Sequence, residues 1–176
     1  PTNTPIDAGP FFCLGLVLAS DPEDASLTDV TIHRLCVQER DELSMFLAAG
    51  RHIEVFRKKA EEAGKPLPVT INMGLDPAIY IGACFEAPTT PFGYNELGVA
   101  GALRQTPVEL VQGVAVNEKA IARAEIIIEG ELLPGVRVEE DQHTHTGHAM
   151  PEFPGYCGEA NPSLPVIKVK AVTMRH

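Results

Sequence analysis

Apolar positions along this chain fall into runs that switch between strand-like and helix-like spacing. Phe11 to Ala19 is one continuous apolar run of strand length. Asp29 to Gln38 is rich in β-branched residues, with Val30 and Ile32 on one face and Leu35 and Val37 on the other. That change of phase predicts a strand with a bulge near His33 and Arg34. Leu43 to Ala48 reads as the return strand. Arg51 to Ala63 then turns helical, with Ile53, Phe56 and Ala60 on one face and Gly64 as the stop before Pro66. Leu67 to Asn72 is the next strand. A short helix from Pro77 to Phe85 follows, with Asp76 as N-cap and Pro77 at the first helical position. Asn95 to Leu103 is small and apolar enough for a second buried helix, leading into a strand from Val108 to Val116. Ala124 to Leu132 predicts a strand ending at the turn Pro134-Gly135, and Pro165 to Met174 closes the set. About six or seven strands with two or three inserted short helices imply an α+β domain built on an antiparallel sheet or barrel.

At 176 residues and 44% hydrophobic, the chain is one domain, residues 1–176, with a real core. The net charge of −10 comes with Lys and Arg scattered rather than striped, which argues against nucleic acid as a partner. Cys13, Cys36, Cys84 and Cys157 show no CxxC or disulfide-like spacing and read as reduced thiols of a cytoplasmic protein. No segment has the length or apolarity to cross a bilayer, and no signal-like start is visible. The chain opens at Pro1 without an initiator Met and stops at His176 after a strand-like run, so it is expected to be a piece of a longer polypeptide.

Candidate chemistry concentrates in two places. The segment from His143 to Tyr156 crowds three histidines, Glu152, two prolines and two glycines, a composition expected to form neither a regular helix nor a regular strand. Pro151 and Pro154 fix φ on either side of Glu152, while Gly147 and Gly155 let the backbone turn, so one carboxylate is held at a preset angle. The HxHxxH spacing of His143, His145 and His148 lacks the context of zinc signatures, and acid–base or hydrogen-bonding work suits those imidazoles better. The second place joins Asp29, His52 and Glu96, three ligand types on three elements. Two carboxylates and one imidazole suit a hard divalent cation, manganese (Mn2+) or magnesium (Mg2+), better than zinc. Arg34, charged and forked, is a natural partner for a substrate carboxylate or for a catalytic Glu.

The segments Asp29-Val-Thr-Ile-His-Arg34, Gly50-Arg-His-Ile53, Gly74-Leu-Asp-Pro-Ala78, Asn95-Glu-Leu-Gly98 and Pro151-Glu-Phe-Pro-Gly-Tyr156 together resemble the UbiD family of reversible aromatic and acrylic acid decarboxylases. Within it they resemble the branch acting on hydroxyarylic acids such as protocatechuate, gallate, vanillate or 4-hydroxybenzoate. The resemblance implies a split β-barrel of the flavin-reductase type. It implies prenylated flavin mononucleotide (prenylated FMN), supplied by a flavin prenyltransferase and tied through its phosphate to a divalent metal, with potassium (K+) nearby. Asp29, His52 and Glu96 stand where the family places its metal ligands, Asp29 replacing the more usual Asn. Thr31, Ile32, His33, Arg34 and Arg51, with His52 and Glu96, would line the cofactor. Of the family's Glu-Arg-Glu arrangement, Arg34 and Glu152 match, Glu152 as proton donor and Arg34 as its partner. The first Glu would fall at position 147, here Gly, and Glu140 or His148 takes its part. Family polypeptides are much longer, so this segment alone is expected to be inactive and its full-length form a homo-oligomer. Two other readings follow from the same residues: a non-catalytic flavin-binding or oligomerisation module, and a flavin reductase suggested by the barrel alone.

Overall fold

The computed structural model describes residues 4–48, 50–85, 89–153 and 156–175; Pro1, Pro154, Gly155 and His176, used in the reading above, lie outside them. Six strands close into an antiparallel barrel in the order β1 (Phe11–Ser20), β2 (Thr28–Glu39), β3 (Glu42–Met45), β10 (Leu164–Met174), β7 (Ile126–Val138) and β4 (Leu67–Met73). Two small hairpins stand beside it, β5 (Leu110–Gln112) with β6 (Lys119–Ile121), and β8 (His148–Phe153) with β9 (Tyr156–Glu159). Helices α1 (His52–Glu62), α2 (Pro77–Gly82) and α3 (Glu96–Arg104) complete the described chain. The α+β antiparallel barrel read from the sequence is the fold observed.

β2 is buried on both faces, which is why its apolar pattern changes phase near His33 and Arg34 with no extra β2 residue there. The register shift of β2 itself lies further on, at Gln38 between Val37 and Glu39. Leu35 joins Val17, Met45, Ile71 and Ile167 in one core cluster, sealed by Ile53, Phe56 and Ala60 of α1. Val30 joins Leu16 and Leu18 under Ile79 of α2 and Leu97 and Ala100 of α3. The expected bulge lies across the ladder instead. Two residues of β1, Cys13 and Leu14, stand between partners that leave only Arg34 on β2, since Phe12 pairs with Leu35 and Gly15 with His33. Gly15 is required there, because a Cβ would meet Leu35 Cδ1 at 2.6 Å and Ile71 Cγ2 at 2.9 Å.

Three further expectations are corrected. The segment around Glu152 does form strands, and its register slips on both sides of Pro151, where a ladder donor is missing. The run from Val108 to Val116 breaks after Gln112, because the N–H groups of Val114, Ala115 and Val116 turn to bind the buried Glu129 carboxylate at 2.7–3.1 Å. β7 does not end at Pro134-Gly135; the chain bulges out there and resumes pairing with β10 at Arg137 and Val138. α1 stops as its sequence predicts. Gly64 takes φ +64°, and the Gly64 and Lys65 N–H groups close on the Glu61 and Ala60 carbonyls.

Candidate functional site

β2 carries one site at each end of its middle stretch. At Asp29, sequence and fold meet through a helix cap. Arg51, at the N-cap of α1, makes no side-chain cap bond. Asp29 Oδ2 supplies it from the neighbouring strand, accepting the Ile53 N–H at 2.8 Å. α3 brings the third group, since Asn95 caps the helix through the Leu97 N–H and sets Glu96 in its first turn. His52 Nδ1 lies 4.0 Å from both Asp29 Oδ1 and Glu96 Oε1. One ligand atom from each of the three residues lies within 4.8 Å of the others.

The electrostatics of this trio suit a cation. Burial raises the Asp29 pKa against its hydrogen bonds and neighbouring positive charges. Burial, with the Asp29 charge adding to it, pushes Glu96 up to about 7. Glu96 Oε2 is buried with no hydrogen-bond partner. A cleft of about 10 Å³ bordered by Asp29, Thr31, Arg51, His52 and Glu96 is the size of a single water or small ion. Two buried carboxylates and an imidazole with an orphaned oxygen therefore fit a divalent metal, as the sequence suggests.

Five residues along, roughly 16 Å up the strand, Arg34 sits between two carboxylates. Its Nε and Nη2 donate to Glu140 Oε1 and Oε2 at 2.9 and 2.8 Å, and its Nη1 donates to Glu152 Oε1 at 3.0 Å. The guanidinium lies 4.1 Å above the Phe46 ring. The carboxylates are unlike. Glu140 is 1% exposed and also accepts the Asn161 N–H at 2.9 Å, whereas the Glu152 side chain is 44% exposed. A cavity of about 500 Å³ opens here, lined by Arg34, Glu152, Phe46, Leu14, Met150 and His33 among others. Arg51 borders both this cavity and the Asp29 cleft, and donates to Thr31 Oγ1 at 3.0 Å.

Of the two groups left open as third partner, Glu140 reaches Arg34, while His148 stands exposed at the start of β8. His143, His145 and His148 form no ligand cluster, and His143 Nε2 is 2.6 Å from the Gln38 carbonyl oxygen. All four cysteines are free. Among the described residues no helix is long and apolar enough to cross a membrane. Phe46, Leu14 and Met150 carried no sequence signal of a site, since each reads as ordinary core. A separate cavity of about 540 Å³ near Asp76 and Arg104 is larger. Its three arginines each pair with one carboxylate, Asp76, Glu109 or Glu125.

Comparison with known proteins bears on this arrangement. A family profile described as the UbiD 3-octaprenyl-4-hydroxybenzoate carboxy-lyase Rift-related domain matches residues 1–176. Gallate decarboxylase of Lactiplantibacillus plantarum is 60% identical over 99% of this chain and 36% of its own length. The apo structure of 3,4-dihydroxybenzoic acid decarboxylase from Enterobacter cloacae is 96% identical with TM-score 0.92, again over 99% of this chain and 36% of that one. An evolved dimeric form of the UbiD-class enzyme HmfF from Pelotomaculum thermopropionicum, in complex with prFMN, is 39% identical with TM-score 0.87, covering 100% of this chain and 38% of that one. Flavoredoxin of Desulfovibrio vulgaris, 12% identical with TM-score 0.54 over 92% of this chain and 69% of its own, shares the fold alone. The chain thus spans about a third of the length of the decarboxylases it matches.

Proposed function

The chain belongs to the UbiD family, and from that premise we propose that it is the flavin- and metal-binding segment of a carboxy-lyase that reversibly decarboxylates a hydroxylated aromatic acid. The observation that carries the proposal is Arg34 clamped between Glu140 and Glu152 at the wall of a 500 Å³ cavity. Gallate and 3,4-dihydroxybenzoic acid decarboxylases among the relatives favour a catechol or gallol acid as substrate.

Prenylated FMN, when bound, supplies the electrophile and electron sink of the reaction. Asp29, His52 and Glu96 would hold the Mn2+ or Mg2+ that receives its phosphate, with K+ nearby, and Thr31 to Arg34 with Arg51 would line it. Glu140, buried and bidentate, fixes Arg34 in position. Arg34 orients Glu152 and meets negative charge on the substrate. Glu152 is the proton donor: as the bond between ring carbon and carboxylate breaks and CO₂ leaves, that carbon takes the Glu152 proton. Its partial exposure leaves it free to be reprotonated for the next turnover. Ile32, Leu14, Phe46 and Met150 supply apolar wall that keeps water from the reacting carbon. The full-length protein is proposed to be a homo-oligomer.

The test is the full-length protein co-expressed with a flavin prenyltransferase, followed by cofactor mass and CO₂ release from a panel of hydroxybenzoic acids. Bound prenylated FMN with release from a catechol or gallol acid supports the reading. Failure to bind flavin in the presence of Mn2+ and K+ overturns it. Oxidation of NAD(P)H by the flavin-loaded protein would favour the reductase reading instead.

A further inference from the structure

β3 stops at Met45 after pairing with residues of β2 from Leu35 onward, so among the described residues no strand pairs with that edge of β2 beside His33. The cavity opens along this edge and takes residues from both faces of β2, Ile32 and Arg34 from one and His33 from the other. His33 is 4% exposed. Its Nδ1 lies 3.0 Å from the Phe46 carbonyl oxygen. A carbonyl only accepts, so Nδ1 carries the hydrogen. Burial first, and the Arg51 charge second, push the ring pKa down to about 4, so the imidazole is neutral. With its one hydrogen on Nδ1, Nε2 is a lone pair that can only accept.

That Nε2 is buried with no hydrogen-bond partner. An unpaired buried acceptor is costly, and in native proteins it calls for a partner. We propose that His33 is a selectivity residue whose Nε2 accepts a hydrogen bond from a neutral donor on the molecule held in this cavity. The tautomer sets the chemical class. A carboxylate or a methoxy oxygen brings no hydrogen and is refused, whereas a hydroxyl or imide N–H is accepted. Two molecules of the proposed reaction carry such donors, the ring hydroxyl of the aromatic acid and the polyol or imide of the flavin. The choice between them rests on the decarboxylase reading; the acceptor role of His33 does not.

The experiment uses the full-length protein with His33→Phe, which removes the acceptor, and His33→Gln, whose amide oxygen can restore one. Two quantities are read: the Kd for FMN by flavin fluorescence with Mn2+ present, and the ratio of kcat/KM for 3,4-dihydroxybenzoic acid to that for its monomethoxy analogues. In His33→Phe one of the two is expected to worsen about tenfold, as befits one lost hydrogen bond, with the other unchanged and His33→Gln recovering most of the loss. A weaker Kd assigns the donor to the flavin, and a collapsed ratio assigns it to a ring hydroxyl. Both quantities within twofold of wild type would overturn the proposal. Should His33→Phe not fold, nitrogen-15 histidine spectra of the wild type serve. The unprotonated Nε2 signal is expected to move upfield on adding FMN or the acid, and no movement with either overturns the proposal. A wild type that releases no CO₂ defeats the decarboxylase reading alone, because the FMN and nitrogen-15 readouts still test His33.

Discussion

Replacing Glu140 by Gln should separate anchoring from chemistry in the pair of carboxylates that flank Arg34. Glu140 accepts two hydrogen bonds from the guanidinium and a third from the Asn161 N–H, all at 2.8–2.9 Å and essentially out of solvent. In Glu140→Gln one acceptor oxygen becomes an NH₂ that must face a donor, either Arg34 or Asn161. One charge-assisted bond is lost, worth about 1.5–3 kcal/mol, and a buried donor is left facing a donor. Deleting a partner from a buried ion pair costs about 3–5 kcal/mol. Arg34 keeps Glu152 and the Phe46 ring, which holds the loss toward the lower figure, about 3 kcal/mol. Glu152→Gln keeps an acceptor oxygen for Arg34 Nη1 and removes only the charge from a side chain 44% exposed, and exposed pairs are worth under about 1 kcal/mol. Urea unfolding of the full-length protein, with turnover measured alongside, reads both. Both variants should lose activity, but only Glu140→Gln should lose substantial stability. Equal stability losses, or a stable Glu140→Gln, would refute the division of labour.

Burial of Glu96 beside Asp29 and His52 makes stability depend on pH. Glu96 has its folded pKa raised to about 7, so its contribution is intact below about 4.5 and is lost as pH rises through about 7. His33, lowered to about 4, acts in the opposite sense, its contribution lost as pH falls toward 4. The difference between Glu96→Gln and wild type isolates the Glu96 part: without metal, the variant should gain on wild type between pH 5 and 8, by up to about 3 kcal/mol, in urea titrations. Mn2+ should raise the wild-type melting temperature and leave Glu96→Gln unmoved, as seen by differential scanning fluorimetry; an equal rise in both would remove Glu96 from the metal site. Gly15→Ala places a Cβ 2.6 Å from Leu35 Cδ1 inside the barrel, and overpacking of this kind should cost about 1–3 kcal/mol in the same unfolding assay.

α1 was fully legible because its 3.6-residue period and the Gly64 stop act locally, and the structure differs from the reading by a residue at each end. Asp29, His52 and Glu96 were legible as ligand types, yet only the fold reveals that Asp29 reaches His52 by capping its helix. Glu140 was legible only as one of two candidates, beside His148, for the third group that the family resemblance implies. Its approach to Arg34 depends on Asn161 holding the turn after β7 through both backbone and side-chain bonds, a contact between residues far apart in sequence. The bulge was placed on the wrong strand because β1 is continuously apolar there, so an extra residue at Cys13-Leu14 leaves no mark on the pattern, while double-sided burial of β2 imitates one. Proline content argued against strands around Glu152, and a two-stranded hairpin with slipped register tolerates what a central strand would not.

The central claim is that Glu152 gives its proton to the ring carbon while Arg34 and Glu140 hold it there. The most direct measurement is CO₂ release from 3,4-dihydroxybenzoic acid by full-length Glu152→Gln loaded with prenylated FMN and Mn2+, beside wild type at equal cofactor content. The account predicts that the variant folds, keeps its cofactor and loses at least a hundredfold in turnover, the low end of what general acid catalysis contributes. Turnover within a few fold of wild type would contradict it.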